Sequence, residues 1–541
     1  MYWRHFKNSW TATFAAMVSV IMAMLPGAAL AQVSPSTTFS TAGNWTYTVP
    51  AGVFFVSVRA AGAGGGGGGA DANGAGGAGG AGAAITVTLR VTPGQVLSGV
   101  VGGGGTTAFT GGFVAQCQGA GVASAFGGGG AGANSNCASG GYSGAGGAGG
   151  GGTSVALAGT IVAQAGGGGG GSGGGWNNPG AAGIAGLSTI AQSSGCGTLG
   201  TGTAGTVFNL DGGAAGGGGG GFPGGASGRG SGDDGSATGT VGATGGGTKL
   251  GGGGGGNCYN TTAAIISAAA SGTGGAGAAG NATVSGTAPG TAGASGSVVV
   301  TLLPSVIVAK TSTGGVGTFS FTGTNGVTPQ SLTTITAGTT VAGTPQLLTS
   351  AAASTVITES PIAGFSLSAI NCTGLGSGGT ATVDLTARSV TLTAAAISAG
   401  VAVTCTFTNP IGLTVQKLSY VVWDPVNGAV NPKAIPGAEV RYCITLTNGA
   451  ASPAATAPVI NDTIPAGETY VANSAFINGT VSISGVCNTG AFVNGARVTA
   501  ATGSGLSGSA GGTFSAGAIS ATLSTINPGA TQTLYFDVII N

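Results

Sequence analysis

Residues 43–69 read GNWTYTVPAGVFFVSVRAAGAGGGGGG, two strand-like segments followed directly by six glycines. Beyond this stretch, residues 51–300 contain 90 of the 121 glycines. Stable helices are not expected there, because each glycine inside a helix costs roughly 1 kcal/mol relative to alanine. After residue 303 the glycine density falls and Val, Ile and Thr segments of period two take over. The chain is therefore predicted to be all-β.

Four glycine runs share the same length of six residues: Gly64–Gly69, Gly166–Gly171, Gly216–Gly221 and Gly251–Gly256. In polyproline II geometry six residues span roughly 19 Å, so the runs are predicted to cross one layer of constant thickness, a polyglycine II layer. Chains without Cβ atoms approach closely enough to pair their backbones laterally. The alternative is a flexible Gly/Ser linker, against which stand the framing strands and the embedded aromatic residues.

The glycine-rich stretch resembles the glycine-rich domains of bacterial and phage proteins. The resemblance covers roughly residues 38–303 and is carried by a tryptophan strand with VPAGV, a VTPGQ strand pair and a closing strand: Gly43–Val53, Val56–Val58, Ala60–Gly69, Ile85–Val101 and Gly296–Leu303. It implies packed polyglycine II helices, as in the tip adhesins of phage tail fibres, where connecting loops bind cell-surface receptors. We expect residues 32–303 to form this domain.

The N-terminus has the layout of a secretory signal peptide. Arg4 and Lys7 precede an apolar run at 12–25, and Ala29–Ala31 is a small-residue cleavage site. The alternative, a membrane anchor, is disfavoured because a bilayer span needs roughly 20 apolar residues. Residues 1–31 are thus predicted to be removed, leaving a chain that is extracellular or at the cell surface, without a transmembrane segment.

Charge and histidine content exclude several functions. Removal of the leader takes away Arg4 and Lys7, so that ten of the 12 basic residues and all 11 acidic residues remain. Charged residues are 4% of the chain, against about 25% in ordinary domains. Nucleic-acid binding is therefore not expected. The only histidine, His5, lies in the leader, which removes histidine-based catalysis and zinc ligation. We predict no enzyme activity, no metal and no cofactor; Asp233 and Asp234 are interpreted as solvated turn acids.

Eight cysteines in an exported chain favour disulfides. Their grouping by region predicts local pairs, with free buried thiols as the alternative for each: Cys117 with Cys137, Cys196 with Cys258, Cys372 with Cys405, and Cys443 with Cys487.

Residues 304–411 have the strand spacing of a small β-sandwich. The segments VAKTST, FSFTG, ITESPIAGFSLSAINCTG and VTCTFTN resemble the prealbumin-like modules of bacterial surface proteins and SpaA-type pilins. In pilin-type modules, lysine, glutamate and asparagine at such positions form an internal amide cross-link. The resemblance implies a Lys310–Asn409 bond with Glu359 as proton shuttle. The alternative is that all three are strand-end polar residues and that the Cys372–Cys405 pair performs the stapling.

Residues 412–541 resemble the "conserved repeat" domain of unknown function in bacterial surface proteins, through a PGA strand with TLTN followed by DTIPAG. The resemblance implies an Ig-like β-sandwich. Residues 531–540 alternate like a closing strand.

Two functions fit this organisation. In the first, a β-sandwich stalk carries the glycine-rich unit, whose loops bind a cell-surface glycan or protein or other matrix components. Its candidate contacts are aromatic and amide residues near the ends of glycine runs, with sealing of the layer as their alternative role: Trp176, Asn177, Phe222 and Tyr259. In the second, the protein is a structural component of an envelope layer, appendage or biofilm matrix without a discrete ligand.

Overall fold

The computed structural model describes residues 35–70, 74–107, 121–134, 144–174, 183, 186–192, 196–206, 214–222, 224–225, 230–231, 237–238, 251–262, 264–279, 291–450, 452–472, 474–478, 496–498 and 511–541. Within these ranges the fold is all-β, as predicted, with one short 3-10 helix at Ala394–Ile397. No helix in the described part of the chain is long and apolar enough to cross a membrane. The leader, Asp233 and Asp234 lie outside the described residues.

The glycine-rich unit begins as two sheets. Its strands are β1 (Ser36–Phe39), β2 (Gly43–Thr48), β3 (Phe55–Ala61), β4 (Ala83–Arg90), β5 (Val96–Val101), β6 (Thr153–Leu157), β7 (Thr160–Ala165), β8 (Leu187–Gln192), β9 (Gly230–Ser231), β10 (Ala237–Thr238), β11 (Gly256–Tyr259), β12 (Ile265–Thr273) and β13 (Ser297–Leu302). The sheet orders are β1-β13-β3-β4-β12 and β2-β5-β6-β7-β11-β8, with β9 and β10 as a separate pair. Both large sheets contribute to one apolar core, in which Trp45 donates its indole N–H to Ser154 O at 3.2 Å.

Several strands continue directly into glycine segments, here called struts, that bond to one another through their backbones. In the strut that follows β3, the N–H groups of Gly62, Gly65 and Gly68 donate to residues 83, 80 and 77. The N–H groups one residue further on donate to residues 151, 148 and 145, and those after that to residues 294 and 291. Every third residue thus faces the same neighbour, which is the periodicity of a helix with three residues per turn.

The strut at 166–174, which follows β7, lies inside this layer. It exchanges backbone hydrogen bonds with five neighbouring segments, 63–69, 77–83, 144–150, 214–220 and 252–255. The contacts are close because no side chain separates the backbones. A Cβ placed on Gly169 would lie 1.8 Å from the carbonyl oxygen of Gly252.

Alanine also occurs in the struts, a feature that the six-glycine runs alone did not predict. In the segment 74–82 every third residue is alanine, and Ala75, Ala78 and Ala81 are half-buried whereas Gly74 and Gly77 are buried. With three residues per turn, these alanines share one side of the strut. In this segment the alanines therefore lie on the half-buried side of the strut.

The middle module is a sandwich of two five-stranded sheets. Its strands are β14 (Ser305–Thr313), β15 (Thr318–Gly323), β16 (Gln330–Thr333), β17 (Val341–Ala342), β18 (Gln346–Leu347), β19 (Thr355–Glu359), β20 (Ala369–Thr373), β21 (Ala381–Asp384), β22 (Ser389–Leu392) and β23 (Ala402–Pro410). One sheet has the order β17-β14-β23-β20 with β18 also on β14, and the other β16-β15-β19-β22-β21. The first and last strands, β14 and β23, are parallel neighbours.

The last module is also a sandwich. Its strands are β24 (Leu413–Trp423), β25 (Glu439–Asn448), β26 (Val459–Thr463), β27 (Glu468–Tyr470), β28 (Ala475–Asn478), β29 (Ala496–Val498), β30 (Gly511–Ser515), β31 (Ala518–Thr522) and β32 (Thr531–Ile540). The larger sheet has the order β24-β25-β32-β28-β29 with β27 on β32, and the smaller β26-β31-β30. The strand predicted at 531–540 has the bounds of β32.

Candidate functional site

Lys310 is a charged residue on the buried face of β14. The side chains of Val306 and Val308, four and two positions earlier, are fully buried, and the strand's alternation places Lys310 on the same face with 0% exposure. Its Nζ lies 4.1 Å from the ring centroid of Phe319. The period-two pattern that buries the valines therefore also buries the amine.

Asn409 reaches Lys310 because β23 runs parallel to β14. In this register Lys310 pairs with Phe407 and Ser312 with Asn409, and Asn409 is fully buried. The Lys310 Nζ donates to the Phe407 carbonyl oxygen at 3.2 Å and to Asn409 Oδ1. The parallel pairing thus sets the amine of the first strand against the side-chain amide of the last.

Glu359 comes from the opposite sheet and contacts both partners. It follows Thr355 and Ile357 on the buried face of β19 and is 1% exposed. Its Oε1 lies 2.9 Å from Lys310 Nζ, and its Oε2 accepts a hydrogen bond of 3.0 Å from Asn409 Nδ2. One carboxylate therefore bridges the two nitrogens, and the structure brings together all three residues of the predicted cross-link.

The surroundings make the lysine less basic. Burial lowers the pKa of Lys310 to about 8 from its usual 10.5; contact with Glu359 raises it in part, and the positive charge of Arg388 lowers it further. Roughly a tenth of the amine would therefore be neutral at pH 7. A neutral amine is a nucleophile, whereas an ammonium is not.

Arg388 is a fourth member of the cluster, which the sequence analysis missed. It lies in the turn between β21 and β22, and its Nη2 donates to Glu359 Oε2. Its Nε donates to the Glu359 carbonyl oxygen at 3.3 Å, and its own carbonyl oxygen accepts the Glu359 N–H at 2.9 Å. No motif marked this position, because the contact depends on which strands are neighbours in the second sheet.

Two of the predicted disulfide pairs lie within the described residues. Cys372 and Cys405 are bonded and face each other across β20 and β23, which confirms the predicted pair. Cys196 and Cys258 are also bonded, and Cys443 is disulfide-bonded. Three other cysteines lie outside the described residues: Cys117, Cys137 and Cys487.

The predicted contact residues of the glycine-rich unit are only partly described. Tyr259 is half-buried and packs against the core of the two sheets, and Phe222 is half-buried near Gly197. This placement favours the sealing alternative for both residues. Trp176 and Asn177 lie outside the described residues.

In the described ranges His, Cys, Asp and Glu form no group of three able to hold a metal ion. In the middle module the ionisable groups Lys310, Glu359 and Arg388 form one cluster, in which Glu359 contacts both cations. This arrangement is suited to chemistry between its own side chains.

Comparison with known proteins assigns the middle module. Residues 306–411 match a family model described as a prealbumin-like fold domain, so this segment is a prealbumin-like domain of the SpaA type, as the sequence analysis predicted. No curated protein matches the chain.

Two solved pilins are similar at 14% identity, each over 44% of this chain. They are the full-length major pilin SpaD from Corynebacterium diphtheriae, with a TM-score of 0.17, and the full-length RrgB pilus protein from Streptococcus pneumoniae, with a TM-score of 0.16. The chain spans 56% of the first protein and 45% of the second.

Proposed function

We propose that this chain is an exported structural protein of the cell surface or a surface appendage, whose middle module locks itself with an amide bond between Lys310 and Asn409. The single observation that supports the bond most strongly is the buried Glu359 carboxylate, which contacts the nitrogens of both residues. The predicted signal peptide and the prealbumin-like match at 306–411 support the surface location.

The reaction exchanges one amide nitrogen for another. The neutral Lys310 amine attacks Asn409 Cγ, and the carbonyl oxygen takes up the electron pair. Glu359 accepts a proton from the attacking nitrogen and passes it to Nδ2. The Cγ–Nδ2 bond then breaks, ammonia leaves, and the new Nζ–Cγ amide remains. Glu359 begins and ends the cycle as a carboxylate, and holding the reactants in contact provides the proximity that such a step requires.

Intact-mass measurement of the secreted full-length chain, after reduction of its disulfides, tests the bond. The expected wild-type mass is lower than the sequence mass of the mature chain by one molecule of ammonia. The variants Glu359→Ala and Asn409→Ala are expected to show the full masses calculated for their sequences. Digestion should release one branched peptide that contains both residue 310 and residue 409.

Lys417 provides the matched control. It lies on the first strand of the last module, as Lys310 does in the middle module, and its amine also contacts a carboxylate, that of Asp462. The variant Lys417→Ala should still lose ammonia as the wild type does. A wild-type chain that retains its full mass would contradict the proposal and leave the Cys372–Cys405 disulfide as the covalent link between β20 and β23.

We further propose that the glycine-rich unit presents binding loops to a glycan, a surface protein or matrix components. The loops in question connect the strut ends that lie away from the sheets. Three such ends are Ala70, Gly144 and Gly174, each nine positions along the chain from the nearest residue of β3, β6 or β7, respectively. Trp176 and Asn177 follow one of these strut ends.

Saturable binding of the full secreted chain to a glycan array or to cells tests the adhesive role. Trp176→Ala should weaken binding, whereas Phe222→Ala, at a residue whose placement favours sealing, serves as the control. Absence of any saturable ligand would instead favour a purely structural component of an envelope layer, appendage or biofilm matrix.

A further inference from the structure

Arg388 occupies an unusual backbone position. Its φ angle is +55°, in the left-handed region where glycine or asparagine is the ordinary residue and a side chain such as arginine is disfavoured. The turn is held by Asp384, whose Oδ1 accepts the Ala387 N–H at 2.9 Å. A long cationic side chain in a position that favours glycine suggests that the contact made by the side chain has a role of its own.

That contact changes the charge of the buried cluster. Lys310 and Glu359 alone would form a neutral ion pair. With Arg388, whose guanidinium is 18% exposed and bonded to Glu359 Oε2, the cluster holds two cations and one anion. A net positive charge around two fully buried side chains is unfavourable, and an arginine does not release its proton in proteins. Of the two cations, only Lys310 can restore neutrality by losing a proton.

We infer that Arg388 is a positioning residue of the proposed cross-linking reaction: it neutralises Glu359, so that the surplus proton of Lys310 is released to solvent instead of being retained by the Lys310–Glu359 pair. This inference rests on the proposed function. The charges also balance after the reaction. The lysine nitrogen has then become a neutral amide, and Glu359 would be a buried carboxylate without a counter-ion if Arg388 were absent.

The inference makes the rate of cross-linking depend on pH in a specific way. Below the pKa of Lys310 the fraction of neutral amine rises about tenfold for each pH unit, and the rate should rise with it and then level off. Charged groups described around the amine are Glu359 from β19 and Arg388 from the β21–β22 turn. Removing the positive charge of Arg388 should move the midpoint of this profile to higher pH.

The experiment measures cross-linking kinetics in the full-length chain. Chain made by cell-free translation is collected in denaturant, refolded by dilution at a series of pH values from about 6 to about 10, and quenched with acid. The linked fraction is read as loss of ammonia after disulfide reduction. Wild type, Arg388→Gln, Arg388→Lys and Asp384→Ala are compared.

We expect Arg388→Gln to be slower at neutral pH and to approach the wild-type rate at high pH. Arg388→Lys keeps the charge and should keep the wild-type midpoint, even if its plateau is lower. Asp384→Ala loosens the same turn but leaves the guanidinium in place, so its midpoint should also be unchanged.

The possible failures are distinguishable. A wild-type chain that never loses ammonia at any pH contradicts the proposed function itself. A wild type that links, together with an Arg388→Gln midpoint equal to that of the wild type, overturns the role of Arg388. If Arg388→Gln does not fold, an Arg388→Lys midpoint displaced to higher pH would equally overturn it.

Discussion

The glycine layer and the middle module are both β-rich units of one chain, but their interiors are built in opposite ways. In the layer, the strut at 166–174 is surrounded by backbones, and the space beside Gly169 is too small for one more carbon atom. In the middle module, Phe319, Phe321 and Phe407 are buried between two sheets that side chains hold apart.

This difference determines which groups each interior accepts. Backbone-to-backbone packing satisfies N–H and C=O groups directly but leaves little volume for side chains: of the nine residues at 166–174, eight are glycine and the ninth is Ser172. Side-chain packing leaves that volume, and Lys310, Glu359 and Asn409 occupy it. In the described part of the glycine-rich unit the charged side chains are Arg59 and Arg90, neither of them buried. Reactive chemistry is therefore expected in the sandwich and not in the layer.

Adding one methyl group to the layer should have the largest effect. Gly169→Ala places a Cβ 1.8 Å from a backbone oxygen that cannot move alone, so we expect a loss of more than about 4 kcal/mol in the free energy of unfolding of this unit. Gly197→Ala, whose Cβ would meet only the Phe222 ring at 3.6 Å, is the control and should be almost neutral. Limited proteolysis and thermal unfolding of the secreted chain measure both. If Gly169→Ala were as stable as Gly197→Ala, the close packing of backbones around Gly169 would be refuted.

Removing carbon atoms should destabilise the sandwich instead. Phe321 is 1% exposed, and its ring packs edge-on against Phe407 at 5.1 Å. Phe321→Ala should therefore lower the free energy of unfolding of the middle module by about 3–5 kcal/mol. Ile335→Ala, at a residue that is 83% exposed, is the control. The measurement is denaturant unfolding, and a small effect at Phe321 would argue against a side-chain core.

The buried amine should make the unlinked sandwich more stable at alkaline pH. In Asn409→Ala the bond cannot form and Lys310 remains an amine. In the wild-type sequence burial lowers the pKa of Lys310 to about 8 from its ordinary 10.5. The same burial should keep it below 10.5 in this variant, so between about pH 8 and pH 10.5 the unfolded chain binds more protons than the folded one and the free energy of unfolding rises with pH. The measurement is denaturant unfolding across this pH window. Adding Lys310→Met should abolish the rise, and a stability that falls with pH would contradict a buried amine.

The smallest effect is expected at Lys417 in the last module. Its Nζ lies 2.6 Å from Asp462 Oδ2, but the two side chains are 37% and 15% exposed. A double-mutant cycle with Lys417→Ala and Asp462→Ala should give a coupling of at most about 1 kcal/mol that decreases with added salt. A larger coupling that is insensitive to salt would show that the exposed ion pair of Lys417 behaves like the buried ion pair of Lys310, which would contradict the comparison.

Much of the fold was predictable from local sequence patterns. The strand at 531–540 followed from period-two alternation, and the strut at 166–174 contains a predicted six-glycine run. The alanine-containing struts were missed, because alanine at every third position indicates a strut only once the hydrogen-bond partners are known. Half of the predicted contact residues, Phe222 and Tyr259, are placed against other parts of the unit, which sequence position near a glycine run does not reveal.

The candidate site was also predictable from the sequence only in part. From the sequence, Lys310, Glu359 and Asn409 were selected by the resemblance to pilin-type modules, and the alternation that places Lys310 on the same face as Val306 and Val308 is visible in the sequence of β14. The contact among the three residues depends on tertiary packing: the parallel pairing of β14 with β23 joins residues 99 positions apart, and the order of the second sheet brings Arg388 to Glu359. Alternation is a local property of the backbone, whereas the neighbours of a strand depend on the packing of the whole module.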